Sequence, residues 1–310
     1  MTSAPAIPVA EHAALTRRIT LLSVAVAAVL LALKAAAWRA SGSVALLASM
    51  ADSGLDLIAS LASFYAVRYA VAPPDREHRF GHGKAEAFAS LMQAGLVFAS
   101  AALVAREAIQ ELLAPQPLQA AGWAIGVMLV STVLTLGLIA AQTRVLRRTT
   151  SVAVSGDRAH YASDLSANLI VLAGIGGAAL GWDRLDAAAG VAVAALLVWG
   201  AVGVFREASA QLMDRELPEE ERRRIVALMT QDARLTDVHQ LRTRVSGPYV
   251  HMQMHVDLDP ELSLDQAHHV IVEAERRLLG VFPAADVIIH ADPKGRAEPH
   301  GGAFAEAGGS

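Results

Sequence analysis

The sequence predicts a membrane all-α bundle of six transmembrane helices that carries a C-terminal cytoplasmic α+β domain. Three observations lead there. The 310 residues are 54% hydrophobic and only 18% charged, with a mean hydropathy of +0.39, which is too apolar for an ordinary soluble domain. The long apolar runs are confined to residues 19–205. Residues 214–295 instead show the alternation, turn residues and charge of a small soluble domain.

The first elements follow from the apolar runs. Residues 1–15 are polar or small and precede Arg17 and Arg18, so they read as a cytoplasmic tail. The run after them has the length of a span and no cleavage signature, which predicts a retained helix rather than a leader. A window of about 20 residues places spans at 16–38, 44–70, 86–113, 119–143, 154–179 and 185–206. Trp38, Trp123 and Trp182 lie at or near span ends, where interfacial tryptophans collect. Arg17, Arg18, Arg68, Arg76, Arg79, Lys84, Arg144, Arg147, Arg148 and Arg158 fall on one side, while the alternate loops hold only Arg39 and Arg184. Both termini are therefore expected in the cytoplasm, with a cell inner membrane as the location.

The transmembrane domain then runs over 16–206, followed by a linker at 207–217, a cytoplasmic domain at 218–293 and a disordered Gly- and Ala-rich tail at 294–310. Pro218 opens a helix near 218–231. Two strands meet at Gly247-Pro248, and in the second Val250, Met252, Met254 and Val256 alternate with His251, Gln253, His255 and Asp257, the pattern of a half-buried strand. Residues 263–280 read as a helix with Ser263 as its cap, and 286–292 as a last strand, giving the order α-β-β-α-β.

Three constellations point to metal. In the second span Asp52 and Asp56 stand four apart, on one helix face. Each aspartate at bilayer depth costs roughly 2.5–3.5 kcal/mol, so the pair calls for a cation or a proton between them. In the fifth span His160 and Asp164 repeat the spacing, and together the pairs supply four N/O ligands, the number a tetrahedral Zn²⁺-like site takes. The loop after span 2, PPDREHRFGHGKAE, holds Asp75, His78 and His82 within eight residues. The soluble domain spreads His239, His255, His268, His290 and Asp292 over separate elements. With no cysteine, metal chemistry falls to His, Asp and Glu, which suits Zn²⁺, Fe²⁺, Mn²⁺ or Co²⁺. No G-x-x-x-x-G-K-[ST] loop is present, so ATP is not the driver, and no H-E-x-x-H or G-x-S-x-G motif marks a peptidase or esterase. Nothing points to nucleic acid.

SGSVALLASMADSGLD, HRFGHGKAE, the H-x-x-x-D at 160–164 and DVIIHADP resemble the cation diffusion facilitator family, and within it the bacterial ferrous-iron and zinc efflux subgroup, over about residues 15–293. The resemblance implies a homodimeric metal/proton antiporter, not an enzyme, with six spans and a metallochaperone-like cytoplasmic domain. It implies a transport site of Asp52, Asp56, His160 and Asp164, and a loop site of Asp75, His78 and His82. It implies a binuclear cytoplasmic site of His239, His255, His268, His290 and Asp292, and a salt bridge from Lys84 to Asp214. The expected cargo is Zn²⁺, with Fe²⁺, Cd²⁺ and Mn²⁺ as alternatives, because an all-Asp pair in span 2 leaves the metal less defined than a His would. Two other readings of the same ligands are a membrane-embedded metal sensor and a metal-dependent hydrolase.

Overall fold

A computed structural model of the chain describes residues 7–41, 44–113, 122–179 and 185–295. Trp182, Arg184, the first six residues and most of the C-terminal tail lie outside them. Six long helices come first: α1 (Val9–Ser41), α2 (Val44–Ala70), α3 (Ala85–Leu113), α4 (Gly122–Leu146), α5 (Val152–Ala179) and α6 (Leu185–Leu212). The first begins at Val9, ahead of the expected 16, because a helix outlasts its apolar run: 33 residues reach about 50 Å, well beyond a hydrocarbon core of about 30 Å.

Among the described residues, four helices are long and apolar enough to cross a membrane: Val9–Ala40, Ala85–Gln110, Gly126–Leu146 and Gly190–Leu212. Length and composition alone thus single out four of the six expected spans among the described residues. The other two, α2 and α5, have similar lengths but carry the acidic and histidine residues in their middles.

Helix α3 packs against α5 and α6, and α1 against α2 and α4. Small residues let them close up. Ala87, Ala94, Ala101 and Ala108 recur every seventh position along α3 and are all buried. A Cβ on Gly156 of α5 would sit 2.9 Å from Ser90 Oγ of α3, and one on Gly190 of α6 would sit 2.8 Å from Ala108 Cβ.

The soluble part runs α7 (Glu219–Met229), β1 (Asp237–Ser246), β2 (Tyr249–Leu258), α8 (Leu264–Val281) and β3 (Ala285–Pro293). β1 pairs antiparallel with β2, and β3 returns over α8 to lie parallel to β2. Ser263 and Gln266 form a capping box at the start of α8, so the helix begins where its sequence signal stands. Val270, Ala274 and Leu278 of α8 and Ile225 and Met229 of α7 meet Val250, Met252, Met254 and Val256 of β2 in one core. The alternate residues of β2, His255 among them, therefore face away from the helices.

Candidate metal centres

The membrane part holds the first centre. His160 Nε2 lies 3.1 Å from Asp56 Oδ1 and 3.8 Å from Asp164 Oδ2. His160 and Asp56 are buried, and His160 Nδ1 and Asp164 Oδ2 have no hydrogen-bond partner among the described residues. One donor atom from each of the three residues falls within 4.8 Å of the others. Donors about 2 Å from one tetrahedral ion stand about 3.3 Å apart, so a small contraction would make the group a ligand set. Asp52 differs from the expectation: it is exposed and stays outside the group. The spacing itself does not exclude it, since His160 and Asp164 share the same interval; Asp52 stands one turn, about 6 Å of rise, along α2 from Asp56.

The loop between α2 and α3 builds the second centre. Asp75 Oδ1 accepts the backbone N–H groups of Glu77 and His78 at 2.9 and 2.6 Å, which curls the loop back on itself. The two imidazoles follow: His78 Nδ1 is 3.3 Å from Asp75 Oδ1, and His82 Nε2 is 3.3 Å from Asp75 Oδ2. The His78 backbone bond, then that of Glu77 and the imidazoles, hold the Asp75 carboxyl below its usual range. His82 is buried against the Tyr69 ring, with centroids 4.3 Å apart.

The third centre is a row across the sheet. Strand register sets His239 opposite His255 and His255 opposite His290. Asp292, two residues along β3 from His290 on the same face, receives all three: His255 Nδ1 at 2.9 Å, His239 Nε2 at 3.3 Å and His290 Nε2 at 3.4 Å. Burial alone would raise the Asp292 carboxyl, but the His255 hydrogen bond and the surrounding imidazoles outweigh it and hold it below the usual range. A bulge between His239 and Arg242, with Gln240 at φ +49°, turns His239 into the row. His239, His255 and Asp292 offer a compact N/N/O donor set that fits a borderline divalent metal. His268 does not join them. It is exposed on α8, the element that covers the opposite, apolar face of the sheet, and its ring stands 6.3 Å from that of His269.

Between the second and third centres, Lys84 Nζ lies 3.0 Å from Asp214 Oδ1, and Arg244 Nη1 of β1 lies 3.1 Å from Asp214 Oδ2. One carboxylate after α6 thus ties the loop to the sheet. The Arg244 guanidinium also stacks on Phe80 of the loop, 4.8 Å from the ring centroid.

One group escapes the sequence reading. Asp157 is completely buried on α5, held by Gln93 Nε2 of α3 at 3.2 Å and Gln142 Nε2 of α4 at 2.9 Å. Its signal was present: residues 157, 160 and 164 share one helix face at i, i+3, i+7 spacing.

Residues 20–213 match the cation efflux transmembrane domain, and residues 217–294 match the cytoplasmic domain of cation efflux proteins. The chain belongs to the cation efflux, or cation diffusion facilitator, family. This is a family of transporters, not of enzymes. The cation-efflux pump FieF of Klebsiella pneumoniae subsp. pneumoniae is 40% identical over 283 residues, covering 91% of this chain and 94% of that one. The cation-efflux pump FieF of Citrobacter koseri is 40% identical over 279 residues, covering 90% and 93%. Among solved structures, CzrB in its zinc form is 33% identical and covers 27% of this chain and 98% of its own, with a TM-score of 0.26. The metal-bound C-terminal domain of the CzcD transporter from Thermotoga maritima is 24% identical and covers 26% and 100%, with a TM-score of 0.25. The cation efflux protein is thus a membrane protein with a C-terminal domain of the cation efflux type.

Proposed function

We propose that this cation efflux protein exports a divalent transition metal from the cytoplasm in exchange for protons, as a homodimer in the bacterial inner membrane. Zn²⁺ is the first expected cargo, with Fe²⁺, Cd²⁺ and Mn²⁺ as the alternatives. All six helices α1–α6 cross the bilayer and both termini face the cytoplasm, in line with the arginines and lysines of alternate loops. The observation that carries this reading is the buried Asp56, His160 and Asp164 group between two helices. A carboxylate pair in that position has little purpose without a cation, and metal ligands must shed protons to bind. A low external pH returns protons to the ligands and drives the ion off, with histidine's ordinary pKa of about 6.5 suited to the exchange. Zn²⁺ uptake into proteoliposomes under an imposed pH gradient tests it: flux is expected in the wild type and absent from Asp56→Ala/His160→Ala. Equal flux in that double variant sinks the assignment.

The cytoplasmic row serves sensing in this scheme. Metal bound to His239, His255 and Asp292 favours one arrangement of the two protomers and so biases the membrane part. Transport that keeps its metal dependence in His255→Ala/Asp292→Ala removes that role.

A further inference from the structure

One helical turn below the transmembrane ligands lies a polar node that the exchange reaction does not itself require. Asp157 is three residues before His160, about 4.5 Å along α5. On α2 the matching positions are Ser60 and Ser63, four and seven residues after Asp56. Gln93 of α3 bridges the two helices: its Nε2 lies 3.2 Å from Asp157 Oδ1, 3.1 Å from Ser63 Oγ and 3.3 Å from the Ala59 carbonyl. A second bridge runs beside it. Ser60 Oγ is 2.8 Å from Tyr161 OH, and that hydroxyl donates to the Ser23 carbonyl of α1 at 3.2 Å. Gln142 closes the node from α4, with its Nε2 at 2.9 Å from Asp157 Oδ2 and 3.2 Å from Ser23 Oγ.

The node is fixed in one arrangement. Asp157, Ser23, Ser60, Ser63, Gln93 and Gln142 are all fully buried. Both glutamine carbonyl oxygens, Gln93 Oε1 and Gln142 Oε1, are buried without a partner among the described residues. Rotating either amide to relieve its oxygen would aim that oxygen at a carboxylate. The Asp157 carboxyl, accepting from both, thus holds the two amides in one orientation, and each amide forgoes a bond to stay there. A buried polar network so constrained selects a single packing, and a packed interior shifts between discrete states rather than yielding gradually. The two helices tied here are the two that carry Asp56, His160 and Asp164.

We propose that Asp157 and Gln93 are positioning residues that set the spacing between α2 and α5, and through it the size of ion the transmembrane ligands accept. The inference rests on the transport-site reading above. Zn²⁺ needs oxygen and nitrogen donors about 2.0–2.2 Å away, and larger divalent ions such as Cd²⁺ need a wider cradle. A rigid tie one turn from the ligands holds the cradle at one width, and a slack tie lets it open.

The test is competition of Zn²⁺ and Cd²⁺ for the purified full-length protein, with Asp56→Ala used to isolate the transmembrane contribution and thermal melting to confirm folding. Gln93→Met keeps the volume and removes the bridge; Asp157→Asn keeps the shape and lets one glutamine rotate; Ser63→Ala removes one acceptor and is the mildest of the three. The Zn²⁺-over-Cd²⁺ preference of the transmembrane component is expected to fall by about tenfold in Gln93→Met, with smaller changes in the other two. Loss of fold alone lowers binding of both ions together and leaves their ratio unchanged. An unchanged ratio in the folded variants overturns the proposal, and Ser63→Ala alone decides it if the other two do not fold. Because the readout is binding and not flux, a failure of proton-coupled transport leaves this result standing on its own.

Discussion

Gly83, in the loop after α2, and Gly247, at the tip of the β1–β2 hairpin, meet backbone against backbone. A Cβ on Gly83 would stand 2.1 Å from the Ser246 carbonyl oxygen, and one on Gly247 would stand 2.8 Å from the Gly83 carbonyl oxygen. Gly247 also has φ +57°, a conformation that costs a non-glycine residue about 1–2 kcal/mol. The loop that carries the second candidate metal centre is thus seated directly on the soluble domain, flanked by the Lys84, Asp214 and Arg244 bridge.

Gly83→Ala is expected to unseat the hairpin at a cost of about 1–3 kcal/mol, since the methyl group has no room. Hydrogen exchange at Val245–Tyr249 of the full-length protein reads this, at about tenfold faster exchange for each 1.4 kcal/mol. Unchanged exchange there would show that the contact gives way freely.

Metal at the cytoplasmic row is expected to stabilise the soluble domain. Free Zn²⁺ at about a hundred times its dissociation constant adds about 2.7 kcal/mol, by mass action. In a melting experiment the chelator-sensitive increment should disappear from His255→Ala/Asp292→Ala and persist in Asp56→Ala. Persistence in the first variant places the stabilising ion elsewhere.

Gln240→Gly is expected to be neutral or stabilising by up to about 1 kcal/mol, because glycine accepts the positive φ of the bulge without strain but loses more chain entropy on folding. Gln240→Val, branched at the same φ, is expected to destabilise by more than 1 kcal/mol, roughly. Chemical denaturation of the two variants side by side checks the sign; a stable valine variant would mean that the bulge relaxes.

Acid is expected to loosen the turn between α7 and β1 through Asp232. The Arg234 side chain, with help from its backbone N–H and from Arg277, pushes the Asp232 carboxyl down to about 2. A carboxyl lowered on folding stabilises the native state above its unfolded pKa of about 4, and that contribution is lost as pH falls through about 4 to 2. The wild type should therefore show an acid-dependent rise in hydrogen exchange around 230–236 in that window, and Asp232→Asn should not. The contribution is small, because the Arg234 guanidinium that holds the carboxyl is half exposed to water.

Where chemistry depends on local spacing, the sequence showed it. The i, i+4 pair of α5 and the short Asp75–His82 loop each assemble as their intervals suggest, whereas of the α2 pair only Asp56 joins. What depends on register or on distant partners was hidden from spacing, and the cytoplasmic row and the Lys84–Asp214 pair came only through the family resemblance. His239 and His290 meet His255 only because the bulge and the parallel β2–β3 ladder align them, and neither is encoded in any one strand. His268 sits on a helix face that no spacing rule could orient toward or away from the row. Lys84 and Asp214 are 130 residues apart. Gln93 and Gln142 are neutral amides in apolar helices and carry no periodic signal, although the buried aspartate they hold lies on the same helix face as two proposed ligands.

The uneven apolarity of the six helices bears on how the protein is made. With Asp52 and Asp56 costing roughly 5–7 kcal/mol together at bilayer depth, α2 is poorly suited to leave the translocon alone. Its neighbour α1 is strongly apolar and packs against it, so the two are suited to enter lipid as a hairpin, as are α5 and α6. Even then Asp56 lacks His160, which lies 104 residues downstream. At about 5–20 residues per second, the nascent chain spends about 5–20 s with half of the proposed transport site before synthesis delivers the other half.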